Sequence, residues 1–313
     1  MRHTQRLLNF TLAALLALLA LPARAPSQEV SAVTNYRVFD ASGKPATIEQ
    51  VLDAAAASEV VYVGEIHNDA TAHQLELQLL QGAFARLARG GAQGHATRPL
   101  VLSLEMFERD VQLVLDEYLA GLIQEKHFRA ASRPWNNYET DYRPLVEFAR
   151  EHQLPVVAAN APERYVNRVG RLGRDALKSL APAALAQLAP LPYGQPSAAY
   201  AEKFSLAMGG AQMGAHANPF LLDAQALRDA TMAYSIASEL KRQPQALVLH
   251  VNGGFHSESR LGVPEQLRAL RPQTRQLVVT IRPAPADQPF DQKEHGGLGD
   301  FVILTTTAAS GRF

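Results

Sequence analysis

Short apolar runs alternate along the chain with longer stretches of helical period, and that alternation sets the expected fold class. Glu59 to Val63 is a β-branched and aromatic run stopped at Gly64, which reads as a buried strand. Thr47 to Ala57 before it reads as a helix, and Asp69 to Arg89 after it carries Leu75, Leu79 and Leu80 near helical spacing. A Gly-rich break at 90–94 leads into a second strand, Pro99 to Met106. The signals then recur. Helices are expected at Asp110 to Ala120 and Pro144 to His152, and a third strand at Leu154 to Ala159. A helical tract follows from Arg164 to Ala189, broken at Pro182, and after a turn at Leu191 to Pro196 come helices at Ser197 to Met208 and Leu221 to Arg242. A fourth strand spans Ala246 to Val251, with later strands at Gln276 to Ile281 and Phe301 to Thr305. Pro26 to Ser42 reads as a polar lead, Gly209 to Pro219 as an aperiodic insert and Pro283 to Gly299 as a long loop. The expected architecture is α/β: a parallel-rich central sheet flanked by helices, one domain over 26–313 with a helical subdomain from about 164 to 243.

Composition narrows the classes. The 313 residues are 47% hydrophobic and 19% charged, with thirty basic and thirty acidic side chains, which excludes disordered, collagen-like and strongly basic chains. The first twenty-five residues hold Arg2, Arg6 and Arg24 and no acid, so the remainder is mildly acidic and nucleic acid is not an expected partner. Those residues run from a basic start through an apolar stretch, Leu7 to Leu21, to Ala23-Arg24-Ala25. That is the layout of a secretory signal peptide, too short for a membrane span of about 20 residues, and it implies export to the periplasm or the outer side of a membrane. Cysteine is absent, which removes disulfides, thiolate chemistry, zinc-thiolate sites and a lipid-anchored cysteine together. Any metal has to be held by His, carboxylate, Asn, Tyr, Met or backbone oxygen.

Candidate chemistry gathers where the strands end, the side on which parallel α/β sheets bind ligands. The first strand delivers Glu65 and His67 in Gly-Glu-Ile-His, the second Glu105 in Ser-Leu-Glu-Met, the third Asn160, and the fourth His256 in Asn-Gly-Gly-Phe-His. Glu105 interrupts an apolar run, so its carboxylate has to be paired, ligated or raised in pKa. Glu65, His67, Glu105 and His256 together are a candidate divalent-metal set or an acid and base pair. No Gly-x-Ser-x-Gly nucleophile motif is present.

Six motifs carry a family resemblance: Gly-Glu-Ile-His at 64–67, Ser-Leu-Glu-Met-Phe at 103–107, Trp135 through Asp141 to Pro144, Ala-Asn-Ala-Pro at 159–162, Gln225 through Asp229 to Met232, and Asn-Gly-Gly-Phe-His at 252–256. In order and spacing, over about 58–282, the chain resembles the ChaN family of haem-binding uptake proteins, related to the Tiki metallopeptidases and erythromycin esterases. The resemblance implies haem binding in a cleft or dimer interface for iron uptake, export, a homodimer, and an outer-membrane haem receptor or transporter as partner. It also assigns Glu65, His67, Glu105, Asp229 and His256 to the superfamily's metal or hydrolytic site, so a divalent-metal-dependent peptidase or esterase is the alternative. For the haem itself the candidates are Tyr142 first, with Tyr138, Trp135, Met208, Met213 and His216, since tyrosinate, imidazole and thioether all serve as axial ligands. Arg133 and Arg143 are candidate propionate partners.

Overall fold

The computed structural model describes residues 33–88, 98–209 and 218–306. The expected signal segment, the Gly-rich break at 90–94, and Met213 and His216 lie outside them. In chain order the strands are β1 (Tyr36–Asp40), β2 (Pro45–Ala46), β3 (Val60–Glu65), β4 (Leu100–Glu108), β5 (Val156–Asn160), β6 (Leu247–Gly253), β7 (Gln276–Ala284) and β8 (Phe301–Thr306). The helices are α1 (Ile48–Ala57), α2 (Ala70–Ala83), α3 (Gln112–Leu119), α4 (Glu125–Ser132), α5 (Arg143–Glu151), α6 (Glu163–Leu172), α7 (Pro182–Leu185), α8 (Ala198–Ala207), α9 (Leu221–Arg242) and α10 (Val263–Leu270).

Every residue of β3 is buried, and a strand apolar on both faces belongs in the middle of a covered sheet. It lies between β6 and β7, parallel to both, in an eight-stranded sheet ordered β2-β1-β8-β7-β3-β6-β4-β5. The strands from β3 to β8 pair in parallel, and β1 and β2 close one side antiparallel. Alternation along the strands sorts two layers. Val61, Val63, Leu102 and Leu104 pack against α1, α2 and α5 through Val51, Leu75, Leu79 and Leu145. Val60, Tyr62, Val101 and Val248 face the other way, against Met232 and Ile236 of α9 and Val263 and Leu267 of α10. Because β6 inserts between β3 and β4, the chain diverges to both sides of it, and a crevice opens at the carboxyl ends of these three strands.

Helix starts follow local chemistry. Thr47 and Gln50 make a reciprocal capping box on α1, and Asp69 accepts from the backbone of Thr71 and Ala72 to start α2. Among the described residues, no helix is long and apolar enough to cross a membrane.

Several boundaries differ from the sequence reading. The polar lead contains β1, whose five residues bury only Val38 and so leave little hydrophobic signal. α4 was not anticipated because only Phe128 and Ser132 of its eight residues are buried. α10 was not anticipated either. The tract 164–189 is not one helix: α6 stops at Gly173, where φ is 77°, a 3₁₀ segment spans Arg174–Ser179, and Pro182 starts the short α7. α6 and the first half of α9 share a cluster with Val169, Leu177 and Leu227, while the second half of α9 covers the sheet.

The free edge of β5 is blunted by a side chain. Gln112 donates from Nε2 to the Val156 carbonyl at 2.8 Å and accepts the Ala158 amide at 2.7 Å, so one amide group replaces a neighbouring strand. Gln112→Ala is expected to lower stability by about 1 kcal/mol, read as a shift in urea midpoint with an unchanged slope.

Candidate functional site

Glu65 and Glu105 end adjacent parts of the same rim but turn into opposite layers. Glu65 continues the Val61 and Val63 face toward α2 and α5, and Glu105 continues the Val101 and Ser103 face toward α9. A register shift in β4 between Leu104 and Glu108 frees Glu105 from the ladder with β5. Its Oε2 instead accepts the Gly253 amide at 2.7 Å, and its Oε1 lies 3.3 Å from Nε2 of His256.

The first network is centred on Glu65. Oε1 accepts from Nδ1 of His67 and from the Tyr142 hydroxyl, both at 2.7 Å, while Oε2 lies 3.0 Å from Nδ1 of His73, off the direction of a hydrogen bond. Burial opposes ionisation of Glu65, but hydrogen bonds from His67 and Tyr142 and the close His73 imidazole hold it down at about 2. Burial also works against charge on His67, and Glu65 and Glu105 outweigh it, raising the imidazole above its ordinary value. Tyr142 is pushed up by burial and by the facing Glu65 carboxylate. Behind Glu65, α2 contributes His73 and the fully buried Glu76. A short π-helical turn, Tyr138–Tyr142, aims Tyr142 at Glu65 and carries Asp141.

The second network is centred on His256. Its Nδ1 donates to Oδ1 of Asp229 at 2.5 Å, and Asp229 accepts the Tyr200 hydroxyl on its other oxygen. Gln225, one turn before Asp229 on α9, brings its side-chain amide to 3.2 Å from Nε2 of His256. Burial works against charge on His256, but Glu105 and Asp229 on its two sides lift it to about 10. Burial likewise opposes ionisation of Glu105, and His256, His67 and the Gly253 amide bring it down to about 2.

Gly253 joins the two networks. A Cβ there would stand 2.7 Å from the His67 ring and 3.6 Å from Glu105 Oε2, so only glycine lets β6 run between them. The loop that follows is held in place from outside. Lys203 donates to the Phe255 and Glu258 carbonyls, Arg282 to Glu258, and Arg260 to Asp300, while Ser259 and Arg260 both take left-handed φ near 60°.

His67, Glu105, Met106, Trp135, Asn160 and His256 line a solvent-open cleft of about 490 Å³, with Arg133 and Arg228 at its rim. The His67 side chain is 49% exposed, and the Trp135 ring stands edge-on to it at 4.7 Å. Glu65 lies beneath His67 rather than on the cleft wall. Of the other candidates, Tyr142 is fully buried, with its hydroxyl committed to Glu65. Tyr138 is buried against Phe107 and Phe128. Met208 is 41% exposed beside Phe204 in an adjoining hollow of about 360 Å³. Arg133 pairs with Glu108 and Asp110 at the cleft, and Arg143 pairs with Glu125 away from it. Sequence reasoning missed His73, Glu76 and Tyr200. Glu76 had a readable signal, because it falls on the inward face of α2 with Ala72, Leu79 and Ala83.

The family model for haem-binding uptake proteins, ChaN, of the Tiki superfamily, matches residues 51–267. No curated protein matches significantly. Among solved structures, ChaN of Campylobacter jejuni, whose description is cofacial heme binding, is similar with a TM-score of 0.62 at 15% identity, covering 88% of this chain and 98% of that one. A mutant of the erythromycin esterase EreC in its open conformation has a TM-score of 0.47 at 12% identity, covering 89% and 85%. The type III effector HopBA1 has a TM-score of 0.46 at 10% identity, covering 83% and 94%. The C. jejuni likeness shows a shared α/β fold. With two thirds of its length matched by one family model, this chain belongs to the ChaN family of haem-binding uptake proteins in the Tiki superfamily.

Proposed function

We propose that the protein binds haem in the cleft at the carboxyl ends of β3, β4 and β6 and serves haem-iron uptake outside the cytoplasm. The observation that carries this reading is the state of His67. Its Nδ1 is a committed donor to a buried carboxylate, which leaves Nε2 as the ring atom available to iron, and the ring is half exposed beside Trp135. A ligating histidine steered by a carboxylate on its other nitrogen is the usual arrangement at metal centres. The donor set fits the group: Trp135 and Met106 offer apolar surface to a porphyrin face, and Arg133 and Arg228 lie at the rim where propionates would emerge. Bound there, haem would supply the iron, and His67 is the residue that would hold it. The cleft is open to solvent, and a second copy of the chain covering it is part of this reading. Export by the amino-terminal segment and delivery by an outer-membrane receptor complete it.

A second reading, hydrolysis of an ester or peptide, is favoured by the Asp229 and His256 pair facing the same cleft. Both nitrogens of His256 face carboxylates, so the ring is an imidazolium at neutral pH and acts as a proton or hydrogen-bond donor to developing negative charge, not as a base. The base is then His67 through Nε2. A divalent ion held by Glu105, His67 and His256 is an exclusive alternative to this acid and base pair: it would take the place of the His256 proton, occupy His67 Nε2 and supply Lewis-acid polarisation of a carbonyl.

Hemin titrated into the purified chain is expected to give a saturable, shifted Soret band. His67→Ala should weaken affinity at least tenfold, and Tyr142→Phe should change it little. An unsaturable spectrum removes the haem reading, and a Tyr142→Phe spectrum that loses its ligand band moves the axial position to tyrosine. Protonation gives an independent check. The His256 imidazole titrates at about 10 when folded against an ordinary value of 6.5, so between these values the folded state binds more protons than the unfolded one. Its contribution to stability is complete below pH 6.5 and is lost as pH rises through 10. The urea midpoint should therefore fall over this window, and less steeply in His256→Gln, although His73 adds a slope of the same sign in both proteins. Equal slopes would contradict the imidazolium assignment.

A further inference from the structure

The layer behind the cleft sets beside Glu65 two side chains that neither reading uses, His73 and Glu76. We propose that Glu65, His73 and Glu76, brought together between β3 and α2, form an internal site for one first-row divalent cation, with Mn²⁺ or Fe²⁺ preferred over Mg²⁺.

The tautomer of His73 is the first argument. Its Nε2 lies 3.2 Å from the His67 carbonyl oxygen, which can only accept, so Nε2 carries the hydrogen. Nδ1 of the neutral ring then presents a lone pair, and it faces carboxylate oxygens of Glu65 at 3.0 Å and Glu76 at 3.2 Å. Three electron-rich atoms in contact require a positive charge among them. Without a metal, protons meet part of that need: one on Nδ1 can be directed at only one carboxylate, and burial with the facing Glu65 pushes Glu76 well above the usual carboxyl range toward its neutral form. The hydrogen bond goes to Glu76, leaving Oε2 of Glu65 and Oε1 of Glu76 buried without a hydrogen-bond partner. A divalent ion satisfies the group as a whole, because two carboxylates and a neutral imidazole balance its charge.

The spacing fits the same solution. For metal to ligand distances of about 2.1 Å, neighbouring donors of an octahedron lie about 3.0 Å apart. The ligand atoms of the three residues all fall within 4.8 Å of one another. An imidazole with two carboxylates and no sulfur suits Mn²⁺ or Fe²⁺, and the nitrogen donor disfavours Mg²⁺. The supporting shell is also present. Asp141 stands 3.5 Å from Nε2 of His73, and Asn137 donates to both Asp141 and the His67 carbonyl, fixing the ring from its far side. Glu65 turns its other oxygen toward His67, so the ion would adjoin the wall of the cleft through one shared carboxylate.

The test uses the full chain, purified free of haem, stripped with chelator, incubated with MnCl₂ and passed through gel filtration before metal counting by mass spectrometry. One Mn²⁺ per chain is expected in wild type and in His256→Ala, with at least a tenfold loss in Glu76→Gln and His73→Ala. Because Glu76→Gln keeps the shape of the side chain, a cooperative melt confirms that it folds. Mn²⁺ should raise the melting temperature of wild type but not of this variant, and Mg²⁺ should raise neither. Wild type that retains no Mn²⁺ would show that the cluster holds a proton only. Full retention by Glu76→Gln, or loss from His256→Ala equal to that from His73→Ala, also overturns the proposal. Hemin titration of Glu76→Gln is expected to match wild type, so this result and the haem result stand or fall separately.

Discussion

Glu65, Glu76, Glu105 and Asp229 are all nearly inaccessible to water at one end of a sheet, and the rest of the site depends on neutralising them there. An isolated buried carboxylate is too costly to keep ionised, so each must find a cation or accept a proton. The chain answers with three imidazoles, each placed between two acids. His67 bridges the Glu65 and Glu105 sides, His73 stands between Glu65 and Glu76, and His256 between Glu105 and Asp229. Among the described residues, no lysine or arginine lies within ion-pair reach of these four acids, so their charge is balanced by groups that can also release protons or bind metals.

The sheet determines how this chemistry is partitioned. Alternation along β3 and β4 sends Glu65 into the α2 and α5 layer and Glu105 into the α9 layer, and β6 runs between them as bare backbone at Gly253. The outcome is a buried compartment behind an exposed imidazole on one side, and on the other a His and Asp pair closed off by Tyr200. Charged contacts outside the cleft also hold the loop after Gly253, so His256 is positioned from both sides of the cleft wall.

The central strands were legible because β3 is an uninterrupted apolar run up to Gly64 and β6 an apolar run broken by His250 before Asn252 and Gly253, and parallel pairing brings the polar residues beyond them to one rim. Glu65, His67, Glu105 and His256 were therefore readable as neighbours, and Asp229 through its motif. The identity of each partner was not, because a one-residue difference decides which layer a side chain enters, and the shift in β4 has no local sequence mark. Tyr142 illustrates the limit. It led the axial-ligand candidates, yet the π-helical turn rotates it inward onto Glu65. β1 and α4 escaped for the opposite reason, since elements that bury one or two residues hardly differ in pattern from loops.

The two margins of the sheet are finished differently, by a two-residue strand containing Pro45 at one side and by the Gln112 amide at the other. Among the described residues, neither offers a run of free backbone groups on which another chain could extend the ladder. Contacts made at these two margins would therefore rest on side chains and not on an extension of the sheet.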